Sequence, residues 1–479
     1  MFRTVGDQPT LWEAILPDEL RRLPEELARV DVLLDDPRFF VPFSPFFDPT
    51  IGRPSTPMET YLRLMFLKFR YRLGFESLCR EVSDSITWRQ FCRIGIDQPV
   101  PHPTTLMKLT TRCGSAAVDG LNEALLAKAA EAKLLRCTRV RVDTTVVPAN
   151  VAYPTDSGLL AKAVRRIATT GRRIQAAGGG VRTKMRDRSR AAGKRAHDLN
   201  AKLRTRNAAA KDAAMEVVRR KNLELADLAA TAADEAERLL ANAKRALRKA
   251  RRKAADFAAA GANDAAAGRR RGRLTRAVND LTELLEATRQ IAAQTRQRLA
   301  GTTPDGATRR VSLHDPDARP IAKGRLGKPV EFGTKAQVCD NDDGIVLDHD
   351  VQPGNPADAP RLAPSVERVK QRTGRTPRTV TADRGYGEQA VDESLHEAGV
   401  RYVVIPRRGR PSKVRQDVEH RRAFRRHVKW RTGCEGRIST LKRGYGWDRS
   451  RIDTLEGARI WVGHGVLTHN LIKISTLAS

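Results

Sequence analysis

Cysteine is scarce in this 479-residue chain, and what there is stays scattered. Cys79, Cys92, Cys113, Cys137, Cys339 and Cys434 include no C-x-x-C pair. That spacing excludes a cysteine-built structural zinc site and a disulfide framework, and it suits a reducing cytoplasm. The nine histidines show no metal-ligand spacing either. Long apolar runs are missing. With no stretch of about 18 uninterrupted apolar residues, a membrane span is not expected. The first residues, MFRTVGDQPTLWEAILPDEL, lack the basic start and apolar run of a signal peptide. No tandem repeat is visible. Acidic residues are in the minority, 56 Asp and Glu against 88 Lys and Arg, for a formal charge of +32. So large an imbalance calls for a polyanionic partner, and nucleic acid leads the candidates.

The apolar fraction of 40% is enough for a core, and the length suggests two or three domains. Residues 1–135 read as an all-helical domain. In TPMETYLRLMFLKFRYRLGF, apolar residues from Met58 to Phe69 alternate with Arg63, Lys68, Arg70 and Arg72, which predicts a buried helix with a basic exposed side. Shorter helices are expected in FESLCREVSD and ITWRQFCRIG. Beyond Pro101 and Pro103, Thr104 or Thr105 would cap another helix. Short helices with basic faces suit a helix-turn-helix-like DNA reader, although a plain helical domain with solvated charges has the same pattern.

Residues 161–304 differ in kind. Proline is absent between Pro154 and Pro304, and alanine supplies about a quarter of 161–300. That window carries 35 Lys and Arg against 14 Asp and Glu, about two thirds of the excess charge. Long helices are expected. Leu274, Val278, Leu281, Leu285, Thr288 and Ala292 form a coiled-coil-like seam, and Leu225, Leu228, Ala232, Leu239 and Ala243 do something similar. A loop over 258–272 would fold the segment into a helical hairpin, and Gly178 to Gly180 mark another break.

Strands and helices mix on either side of this insertion, in 136–160 and 305–479. TRVRVDTTVV is a strand with Asp143 at its end. VEFGTKAQV and IVLDHDV are strands joined by a turn at 342–344. A helix, the strand RTVTAD ending at Asp383, another helix and the strand RYVVIP follow. A basic helix over about 418–442 and a closing helix, ARIWVGHGVLTHNLIKI, complete the chain. The fold class is α/β.

Carboxylates at strand ends sit where a sheet presents ligands. Asp143, Asp383 and Glu435, if they converge, cannot all stay ionised without a cation. Oxygen-only ligation selects Mg²⁺, with Mn²⁺ as a substitute. Two such ions about 3.5–4 Å apart support phosphoryl transfer. In WRTGCEGRISTLK, Arg431, Glu435 and Lys442 stand at offsets of 0, 4 and 11, within roughly 40° of one helix face. A carboxylate between two cations suits a metal beside phosphates. The alternative is a solvated ion pair.

These passages together resemble the DDE-type insertion-sequence transposases, which have a ribonuclease H-like catalytic domain. VDTTVVPANVAYPTDSGLL is similar to the first-Asp block and VTADRGYG to the second. SLHDPDARPIAKGRLGKPVEFGTKAQV and RYVVIPRRGRP resemble neighbouring blocks. The last basic helix fits the Arg-x3-Glu-x6-Lys part of the family signature, with Val428 where the full form has tyrosine. The gap from Asp383 to Glu435 is 52 positions, too short for the strand-rich insert of some relatives. The gap from Asp143 to Asp383 is 240.

The resemblance implies a ribonuclease H-like mixed sheet and metal ligation by Asp143, Asp383 and Glu435. It implies DNA-backbone contact by Arg431 and Lys442, with Arg384 and Tyr386 near the substrate. Two Mg²⁺ ions would drive cleavage at the terminal inverted repeats of a mobile element and strand transfer into target DNA. A homodimer or larger assembly in a bacterial, nucleoid-associated setting is implied as well. A nuclease that never joins strands and a non-catalytic DNA-binding descendant remain as alternatives. Asn355 is a turn or rim residue, Asp315 and Asp317 are turn-formers, and His464 and His469 are packing residues. Trp430 either stacks on a base or packs on a helix.

Overall fold

The computed structural model describes residues 1–3, 17–203, 211–259, 264–323 and 329–478. They divide into two compact units, one of residues 1–150 and 325–479, the other of residues 151–324.

The first unit opens with helices α1 (Glu25–Leu34), α2 (Met58–Arg70), α3 (Phe75–Asp84), α4 (Ile86–Phe91) and α5 (Pro103–Glu131). Here α2 departs from expectation. It is enclosed on all sides, so its cations do not form an exposed basic face. Arg63 is fully buried and donates to Asp31 at 2.8 Å and to Asp35, while Arg70 donates to Glu26. Partners on α1 and at its end cover what the local pattern leaves outward. The cap of α5 is His102, which accepts from the Thr104 backbone N–H, with Pro103 in the first turn, not Thr104 or Thr105. Gly114, at φ 66°, kinks this long helix. The chain then forms strand β1 (Arg139–Pro148) and leaves the unit.

The second unit holds four helices: α6 (Asp156–Ala176), α7 (Ser189–Leu203), α8 (Lys211–Ala259) and α9 (Ala265–Leu299). Their shared core is built almost wholly of Leu, Ala, Ile and Val. Each of the six seam residues from Leu274 to Ala292 is buried, and so are Ala277, Leu284, Ala287 and Ile291. That apolar face is wider than the two-position seam of a coiled coil and matches a helix packed against several neighbours. The turn between the long helices is shorter than 258–272. Helix α8 runs to Ala259, and Asp264 caps α9 by accepting from the N–H groups of Ala266 and Ala267 at 2.9 Å each. Residues 260–263 of the expected loop lie outside the described residues.

Back in the first unit come β2 (Val330–Asp340), β3 (Val346–Pro353), α10 (Leu362–Thr373), β4 (Thr379–Ala382), α11 (Gln389–Glu397) and β5 (Tyr402–Val404). Helices α12 (Lys413–His420), α13 (Arg422–Arg431), α14 (Gly433–Gly444) and α15 (Thr454–Leu477) finish the chain. The strands stand in the order β3-β2-β1-β4-β5. β2 runs antiparallel to β1 and β3, whereas β1, β4 and β5 are parallel. Central strands are covered on both faces, so in β2 even Lys335, Gln337 and Asp340 are buried. Closing helix α15 is buried over most of its length, with His464 and His469 inside. One core joins residues of α1 to α5 with residues of β1, β4, α10 and α15.

Candidate active site

Strand register brings the first two carboxylates together. The parallel pairing of β1 and β4 ends with Val142 opposite Ala382. Asp143 and Asp383 are the next residues on each strand, side by side on strands about 4.8 Å apart. Asp143 does not end its strand. β1 continues to Pro148, still paired with β2, and Asp143 marks the point where only the β4 pairing stops. Asp383 directly follows the end of β4, and its carboxylate caps the turn that follows by accepting from the Gly385 N–H at 2.8 Å.

Glu435 arrives on a helix that the sheet holds in place. The single basic helix expected at 418–442 is three helices, broken at Arg421, whose backbone is extended, and again at Thr432. Arg431 therefore ends α13 and Glu435 lies in the first turn of α14. Buried Arg141 of β1 pins this junction. It donates to Asp340 at 2.8 and 2.9 Å and to the Trp430 carbonyl at 3.0 Å. Arg437 of α14 adds a bond to the same Asp340 at 3.3 Å. A Cβ at position 433 would meet the Arg141 guanidinium, so a larger residue where α14 begins would have to displace this anchor. The Trp430 ring takes Arg139 and Arg141 at 4.5 and 4.7 Å, which assigns it to packing in this structure.

Between the carboxylates lies Arg431. It donates to Asp143 at 2.9 Å and to Glu435 at 3.3 Å. Asp143 is 14% exposed and Glu435 65%. Burial pushes the Asp143 carboxyl up to about 6. The bond from the Thr144 N–H and the charge of Arg431 work against that rise, and the charges of Asp383 and Glu435 add to it. Asp143 is thus within electrostatic reach of both Asp383 and Glu435. Among the described residues, no three His, Cys, Asp or Glu side chains stand close enough to hold a metal ion. The chemistry of the donor set, all carboxylate oxygen and short of positive charge, fits a hard divalent cation once Arg431 gives way.

The other expected residues separate. Arg384 is exposed beside Asp383, and Lys442 is half-buried on α14. Tyr386 is fully buried, and its hydroxyl donates to Gln337 at 3.4 Å, so it packs beneath the site and does not face a substrate. Asn355 is exposed next to Gly354, which has φ 67°. Its near neighbour Asp358, which motif spacing does not single out, pairs with Lys335 at 2.8 Å and lies near Gly385. In the second unit Asp315 forms a turn by accepting from the N–H groups of Asp317 and Ala318. Asp340 and Arg141 also escape motif reading. In sequence each is one charge among others on its strand, beside Arg139 and Asp143 on β1 and Glu331 and Lys335 on β2.

Comparison with known proteins bears on this geometry. The family model described as "Transposase DDE domain" matches residues 304–471, which hold Asp383 and Glu435 but not Asp143. The one described as "Transposase domain (DUF772)" matches residues 16–112. The two matches together support an insertion-sequence DDE transposase. A curated relative, the uncharacterized protein ORF8 in the nfe locus of Rhizobium meliloti, is 29% identical over 149 residues, which is 30% of this chain and 71% of that protein. No solved structure matches. Among the described residues, no helix of this chain is long and apolar enough to cross a membrane.

Proposed function

We propose that this protein cuts DNA at the ends of a mobile element and joins the exposed ends to target DNA. The observation that carries the reading is that Asp143 and Asp383 follow paired positions of neighbouring strands while Arg431 links Asp143 to Glu435. The strand order β3-β2-β1-β4-β5, with β2 alone antiparallel to its neighbours, fits a ribonuclease H-like core. Residues 1–135 would form the DNA-binding domain, 136–160 and 305–479 the catalytic domain, and 161–304 a basic insertion that grips DNA or pairs subunits.

Asp143 and Asp383 would hold divalent metal, Mg²⁺ or Mn²⁺, from the sheet, and Glu435 from α14. When bound, two such ions would lower the pKa of an attacking hydroxyl and neutralise the leaving oxygen. In the first step, water attacks a phosphodiester at the element end. The bond to the 3′ oxygen breaks, leaving a 3′-hydroxyl and a 5′-phosphate. That hydroxyl then attacks a target phosphodiester, forming a new P–O bond and releasing a target 3′-hydroxyl. Arg431 would exchange its carboxylate partners for a phosphate, a trade that its planar fork suits. Lys442 and Arg384 would hold backbone to either side. Two ends must react in one event, so a homodimer or larger assembly is expected.

A strand-transfer assay on terminal-repeat DNA with Mg²⁺ tests this. Wild type should cleave and join. Asp383→Asn should bind the same DNA and lose activity by more than the roughly 100-fold typical of an outer-sphere metal partner. Cleavage without joining would make the protein a nuclease, and full activity in Asp383→Asn would remove the carboxylates from the reaction.

A further inference from the structure

Lys68 does not fit the fold around it. It is 3% exposed, yet among the described residues it has no carboxylate or hydrogen-bond acceptor. Its ammonium lies instead 4.8 Å from the Phe69 ring, 4.7 Å from Phe75 and 4.3 Å from Trp461. Burial, together with the charge of Arg451, drives its pKa down to about 7. An aromatic box softens such a buried cation but supplies no counter-charge.

What lies in front of Lys68 is more positive charge. Its side chain lines a small pocket of about 20 Å³, together with Arg72, Arg449, Arg451, Gly446 and Trp461. That is room for one water or one oxygen of a larger group. Arg449 and Arg451 are exposed and have no ion-pair partner among the described residues. Arg72 bonds to Asp448 at 2.5 Å and to the Arg443 carbonyl at 3.0 Å, which fixes the rim. Asp448 is the one carboxylate among the lining residues. Four cations converging on a pocket one oxygen wide describe a receptor for an oxyanion whose other oxygens stay at the mouth, within reach of arginine forks.

We propose that this pocket binds one phosphate of the DNA backbone, with an oxygen on Lys68 and the neighbouring oxygens on Arg449 and Arg451. Its place in the chain favours DNA as the source. Gly446 lies two residues beyond α14, the helix of Glu435 and Lys442. The nine positions from Glu435 to the helix end at Gly444 span about 14 Å along the axis, with Gly446 just beyond. Duplex DNA carries one charge per roughly 1.7 Å of its axis, so a duplex held at Glu435 has phosphates at that range. The DNA assignment rests on the transposase reading above, whereas the oxyanion pocket does not.

The test uses the full chain, with Lys68→Met as a volume-conserving variant and Arg451→Gln as a second variant at the exposed rim. In the first arm, inorganic phosphate is titrated while thermal unfolding is followed. Wild type should gain Tm with phosphate. Lys68→Met should start at a higher Tm, having shed an unpaired buried cation, and should not respond. In the second arm, duplex binding without divalent metal is measured against salt. Each variant should lose about 0.9 from the slope of log K against log salt, the amount for one phosphate contact. An unchanged slope together with a phosphate-dependent Tm would overturn the DNA assignment and leave a small-anion site. A wild-type Tm indifferent to phosphate, with unchanged slopes, would overturn the pocket. These readouts need no catalysis. Failure of strand transfer with the slopes shifted would therefore count against the reaction alone.

Discussion

The two units bury different things. The unit that carries the carboxylates encloses ion networks: Arg63 with Asp31 and Asp35, Arg141 and Arg437 with Asp340, Arg368 and Arg372 with Asp348. The helical unit encloses mainly leucine and alanine; of its buried carboxylates, Asp156 sits with Gln294 and Arg298 and Asp315 closes a turn. Apolar faces are non-directional and repack readily. A buried ion pair fixes orientation but loses heavily when one partner is removed. The contrast separates a unit built to hold side chains in register from one that carries charge on its outside, where most of the chain's excess lies.

The sharpest way to break the contrast is a pair of conservative substitutions. Asp340→Asn leaves Arg141 and Arg437 without a buried anion and should cost about 3–5 kcal/mol. Leu281→Met, fully buried in the helical core, should cost less than about 1.5 kcal/mol. Chemical denaturation gives both values. Asp340→Asn should also depress DNA cleavage beyond its loss of stability, because the junction of α13 and α14 rests on Arg141. Equal costs at the two positions would mean that the units differ in composition and not in kind.

Acid is the next probe. Burial pushes His464 and His469 down to about 3. His469 donates to the Gly344 carbonyl at 2.9 Å, and His464 stacks on Phe69 with Lys68 nearby. With a folded pKa below the unfolded value of about 6.5, each stays neutral in the fold while the unfolded chain takes up a proton. Stability is thus complete above pH 6.5 and falls as pH drops toward 3, by about 2 kcal/mol per histidine at pH 5. In the helical unit His197 and His314 are exposed. Hydrogen exchange at pH 7 and pH 5 should therefore show protection lost in the sheet unit and kept in the helical one, with His464→Gln recovering part of the loss. Equal loss in both units would contradict this account.

How much of this was legible in the sequence follows the same division. Helices α8 and α9 were readable because alanine and leucine at helical spacing report local propensity and a buried face together. Asp143 and Asp383 were readable from their strands and their flanking blocks. What escaped was long-range pairing. Arg63 and Lys68 look like a solvated face until α1, α3 and α15 close over them. Asp340 and Arg141 look like ordinary strand charges until they are seen to anchor α13. The break at Thr432 was invisible because Arg431 and Glu435 keep their i, i+4 contact across it. Tyr386 looked like a substrate contact because it follows Asp383, but the turn that Asp383 caps drives the ring inward.

The smallest predicted effect asks whether the two units are independent at all. Asp264 caps the first turn of α9 through two backbone N–H groups that otherwise have no partner there. Asp264→Ala should cost about 1 kcal/mol. If the helical unit opens on its own, faster exchange will be confined to α9 and the helices packed on it, while amides of β1 and β4 keep their protection. DNA cleavage should then proceed at the wild-type rate once binding is saturated. If β1 and β4 lose protection by the same factor, the units unfold as one cooperative block. Conservative changes in the helical core would then register at Asp143 and Asp383, and the division between a positioning unit and a charge-carrying unit would have to be given up.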